Sequence, residues 1–73
     1  MSRRDLVHVL EVLARLSSGE AGVGVPVAQI EDGVGRGYGD MRTPLNLESL
    51  RERGLAVQLR EDAWALTPRA SRD

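Results

Sequence analysis

The apolar period of this chain changes at Gly54. Before it, Thr43, Leu47 and Leu50 recur at helical spacing; after it, Leu55, Val57 and Leu59 alternate with Ala56, Gln58 and Arg60. Recurrence every three or four residues marks a helix, and strict alternation marks a strand. Gly54 stands where a helix over about 40–53 must stop, at the position that favours a left-handed residue. Glu61-Asp62 then supplies a turn, and Ala63 to Thr67 returns as a second strand carrying Trp64 and Leu66. A helix delivered straight into a β-hairpin places the chain in the α+β class.

Two further helices precede this unit. Ser2 to Asp5 fits a capping box, and Leu6, Val9, Leu10, Leu13 and Leu16 follow at helical spacing as far as Ser17-Ser18-Gly19. This predicts a first helix over about residues 3–17, with Val7, Val12 and Ala14 widening its apolar stripe. Glu11 and Arg15 fall in the favourable order for an i,i+4 pair. Ala21 to Val25 reads as a linker whose valines allow a short strand near 23–25. Pro26 suits the first position of a second helix, with Val27, Ile30 and Val34 on its apolar side and Gly33 and Gly35 at its end. Asp40 or Thr43 can cap the third helix, whose first turn tolerates Pro44. Thr67-Pro68 can cap and start one more turn.

Composition removes several classes of function. A chain of 73 residues, 41% hydrophobic, suits one small domain over 1–73. There is no cysteine, and the one histidine, His8, cannot assemble a zinc site alone, so no metal is expected. No apolar run approaches the roughly 20 residues of a membrane span, and no leader opens the chain, so a soluble, cytoplasmic protein is expected. Glycine at every second position from Gly33 to Gly39 suggests a phosphate loop, but such loops end in Gly-Lys-Ser/Thr and this chain has no lysine. No nucleophile has a base in plausible reach. The pairs Glu31-Asp32 and Glu61-Asp62 read as solvated charge at element ends, so neither catalysis nor a cofactor is expected. Trp64 reads as packing and His8 as a surface residue.

Three helices followed by a hairpin is the layout of a winged helix-turn-helix domain. The segment Leu50-Arg-Glu-Arg-Gly-Leu-Ala-Val, followed after one short hairpin by Trp64-Ala-Leu-Thr-Pro-Arg, resembles the recognition helix and wing of bacterial winged-helix regulators of the PadR and MarR types. Pro44, early in the third helix, is similar to the PadR type. The resemblance covers residues 26–69, with helix 1 matched by position only. It implies a DNA-binding transcriptional regulator with helix 3 in the major groove of double-stranded DNA and the wing on the backbone.

Charge is unevenly spread beneath a net −1. All ten basic residues are arginine; residues 5–32 carry a net −4 and residues 33–60 a net +2. A pI of 5.8 lies well below the value of about 9 usual for nucleic-acid binders, and the basic middle keeps that function open. On helix 3, Arg42, Asn46, Ser49 and Arg53 form one stripe beside the apolar one. Arg and Asn make bidentate contacts with guanine and adenine edges. Arg36 before the helix and Arg60 in the wing are placed for phosphate, and Arg3 and Arg4 can add backbone contacts. Leu45 points outward beside Glu48 and Glu52. That favours an alternative, a protein–protein interaction module anchored through Leu45, with the wing tip acidic at Glu61-Asp62. One such domain reads one half-site, so a homodimer through helix 1 and the chain ends is expected, using whichever of Val7, Val12 and Leu16 the core leaves free.

Overall fold

The computed structural model describes residues 3–35 and 41–71. The elements run α1 (Arg3–Leu16), β1 (Val25–Pro26), α2 (Val27–Val34), α3 (Arg42–Glu52), β2 (Ala56–Arg60), β3 (Ala63–Leu66) and a final turn α4 (Pro68–Ser71). The three strands form one open antiparallel sheet in the order β1-β3-β2. The hairpin turn falls at Glu61-Asp62 and the third strand at Val25–Pro26, one residue beyond the expected stretch.

Pro26 carries two structural duties at once. It ends β1 opposite Ala63 and stands at the N-cap of α2 with φ −61° and ψ 142°. The helix proper therefore starts at Val27, whose N–H donates to the Asp62 carbonyl at 2.7 Å. The missing proline N–H costs nothing at a cap, and its extended ψ is what β1 requires. On α3, Met41 occupies the cap position with no side-chain bond, and Thr43 lies inside the helix, fully buried. Thr43 is therefore a core residue and no cap; Asp40, like Ser2, lies outside the described residues.

Helix ends follow backbone rules. After α3, the Gly54 N–H donates to the Arg51 carbonyl and the Leu55 N–H to the Leu50 carbonyl, with Gly54 at φ +76°. This is a Schellman closure, and it aims the chain directly into β2. The same closure ends α1, where Ser18 N–H meets Arg15 O and Gly19 N–H meets Ala14 O at 2.7 Å. Here the left-handed residue is Ser18, at φ +57°. A side chain in that region costs about 1–2 kcal/mol, part of which glycine's greater unfolded-state entropy offsets. Ser18→Gly is expected to stabilise the domain by about 0.5–1 kcal/mol, raising the melting temperature by roughly 3–6 °C in a calorimetric scan.

The core lies between the helices and one face of the sheet. Val9, Val12 and Leu13 of α1, Ile30 of α2 and Leu47 and Leu50 of α3 meet Trp64 and Leu66 of β3 there. Trp64 is buried, as expected for a packing role. At Gly33 α1 and α2 pack without room for a side chain, since a Cβ built there would sit 2.6 Å from Val12 Cγ1. The central strand β3 is buried along its length, whereas β2 buries only Ala56. Val57 and Leu59 face away from the helices. A bulge at Leu59 lets its side chain lean over Gly24, with Cδ1 3.3 Å from where a Cβ would stand there. The single turn α4 is held by Thr67, whose hydroxyl donates to the Gly54 carbonyl at 2.6 Å and accepts from the Ala70 N–H.

Candidate nucleic-acid interface

α3 is the element on which the sequence places most of the candidate contacts. Its buried side, Thr43, Asn46, Leu47 and Leu50, packs onto α1, α2 and β2. That packing fixes which side chains remain outside. Arg42 and Arg53 are exposed, one in the first turn and one just past the last. Eleven residues separate them, about 16 Å along the axis and close to three full turns, so they project to the same side.

Between them the stripe dips into the molecule. Asn46 is only 1% exposed and Ser49 is half-buried. Asn46 is thus corrected from a base-reading candidate to an interior residue. Its angular position falls on the edge of the buried arc, where a neighbouring element covers it. Among the described residues no buried side-chain nitrogen or oxygen lacks a hydrogen-bond partner, so the buried amide is satisfied. Arg60 is exposed at the end of β2, next to the exposed acidic turn Glu61-Asp62. Arg36 and Tyr38 lie outside the described residues.

The outermost face of α3 carries a different chemistry. Met41 and Leu45 are 66% and 53% exposed, and Glu52 is exposed on the same side. Glu48 binds Arg51 through one oxygen, with Nη2 at 2.6 Å and Nε at 2.9 Å. Both partners are about half exposed, so the pair adds little stability but neutralises a charge that would otherwise face a ligand.

Two features were not legible in the chain. Glu31, read as solvated charge, is 6% exposed in α2, because the elements packed on that helix cover the edge of its buried arc. The second is a cleft of about 450 Å³ between α1 and the α3–β2 junction. It has an apolar floor of Leu6, Leu10, Leu50 and Leu55, with Val7, Arg3 and Arg53 as its rim. Arg3 and Arg53 are 50 positions apart, a separation no local pattern reveals. Among the described residues, no three His, Cys, Asp or Glu side chains gather to hold a metal ion, and no helix is long and apolar enough to cross a membrane. No family model, curated protein or solved structure matches the chain.

Proposed function

We propose that this chain is a winged-helix domain that binds double-stranded DNA and acts in bacterial transcription control, with α3 in the major groove and the β2–β3 hairpin as the wing. The observation that carries this reading is the topology. A short strand between the first two helices pairs with the far strand of the hairpin, giving the order β1-β3-β2 and leaving one side of α3 uncovered. On this reading Arg42 and Ser49 reach base edges or phosphates from α3, Arg53 and Arg60 grip the backbone at its two flanks, and Arg36 adds a phosphate contact. Asn46 has no part in it.

Few arginines and a net charge of −1 imply weak, strongly salt-dependent binding. With three or four phosphates neutralised, the slope of log affinity against log salt is expected near −3, from about −0.9 per contact. Fluorescence anisotropy on mixed-sequence duplexes at about 50 mM salt measures it, and Arg42→Ala and Arg60→Ala should each lower the slope by about one. A protein that leaves duplex DNA unbound at about 100 μM in low salt, below even ordinary non-specific affinity, sinks the reading.

One observation favours a second reading, a protein-interaction module. Met41 and Leu45 form an apolar pair on the outward face of α3, beside the uncompensated Glu52. Such a pair suits an anchor for a partner protein better than a phosphate-lined groove. Leu45→Glu discriminates: on this reading it abolishes retention of a host protein by a chain that never retards DNA.

A further inference from the structure

We infer that the exposed stripe of α1 beside the cleft is a two-fold dimerisation site, in which α1 of a second copy of this chain lies antiparallel across Val7 and each Arg3 pairs with the other copy's Glu11. The core takes Leu6, Val9, Val12 and Leu13 from α1, and this removes Val12 from any surface contact. What stays outside is a second stripe. Arg3, Val7 and Glu11 are spaced four residues apart, hence on one side of the helix, and all three are exposed. Leu10, half-buried, connects that stripe to the cleft floor.

The charges of the stripe are self-complementary. Arg3 and Glu11 stand one turn to either side of Val7, about 6 Å along the axis in each direction. A two-fold axis through Val7 sets valine on valine and brings each arginine opposite a glutamate, twice over. Neither charge is already used. Among the described residues Arg3, Glu11 and Arg53 enter no ion pair. Arg15, the expected i,i+4 partner of Glu11, instead lies along α2, its guanidinium 3.3 Å from the Cβ position of Gly33. A small apolar anion in the cleft would meet Arg3 and Arg53 but leave Glu11, outside the cleft lining, unpaired. A second copy covers Val7 and pairs both Arg3 and Glu11. The inference is independent of DNA binding, and its measurement contains no DNA.

Sedimentation velocity over about 5–300 μM is the test, a range suited to a contact smaller than a standard interface. The mass is expected to rise from 8.0 kDa toward twice that value. Arg3→Glu and Glu11→Arg, each creating two like-charge contacts, should weaken dimerisation about tenfold or more. The double variant Arg3→Glu/Glu11→Arg should restore it, and so should an equimolar mixture of the two single variants. Val7→Glu should give a folded monomer by circular dichroism. A wild-type mass that stays at 8.0 kDa throughout overturns the inference, as does a dimer that both single charge reversals leave unchanged.

Discussion

Val12→Glu is expected to abolish folding, whereas Val7→Glu, five residues earlier on the same helix, should leave the melting curve of the monomer nearly unmoved. Val12 is 2% exposed and its Cγ1 lies against Gly33, where a Cβ would fall 2.6 Å away, so no room exists for a longer side chain to turn aside. A carboxylate forced into that contact loses its hydration and meets an apolar neighbourhood, at a cost of several kcal/mol after relaxation. A domain of this size has only about 3–5 kcal/mol of stability to lose. Val7 is 47% exposed, and a charge there remains hydrated. Thermal unfolding followed by circular dichroism at 222 nm reads both variants; a cooperative Val12→Glu transition near the wild-type temperature contradicts the α1–α2 packing.

The second large effect separates two roles for one residue. Asn46→Ala should destabilise the domain by about 2–4 kcal/mol, combining a small cavity with hydrogen-bond partners left unsatisfied in the interior. A residue that read bases from an exposed stripe would behave in the opposite way, losing DNA affinity with stability intact. Urea titration gives the free energy, and the midpoint should fall without a change in slope. An Asn46→Ala protein as stable as the wild type would place the amide at the surface and reinstate it as a contact residue.

Asn46 shows what a helical pattern can and cannot convey. Arg42, Asn46, Ser49 and Arg53 do share one stripe, as their spacing requires. Spacing, however, gives angles around an axis and not the width of the neighbour that covers them. α3 is packed by α1, α2 and β2 together, so the covered arc extends past Thr43 and Leu47 to Asn46. Glu31 is hidden for the same reason. Likewise, β2 was legible as a strand from its alternation. Its apolar residues Val57 and Leu59 nevertheless lie on the outer face, because the register with β3 sends Ala56 inward beside Leu66.

Local chemistry along the chain sets the kinds of element and where they stop. The period of apolar residues and the local chemistry of turns act within a few neighbours, and so the α1 stripe, the Gly54 closure, the Glu61-Asp62 turn and the Thr67 cap were all readable from the chain. Long-range packing selects which of the surplus apolar residues on α1 is core and which is rim. Val12 meets Gly33, a residue 21 positions away, and Val7 meets the cleft formed with Leu50 and Leu55. Both assignments depend on how two helices approach one another. That approach is set by the summed packing of the whole core and by where a missing Cβ lets backbones close, and no segment of the chain encodes it alone.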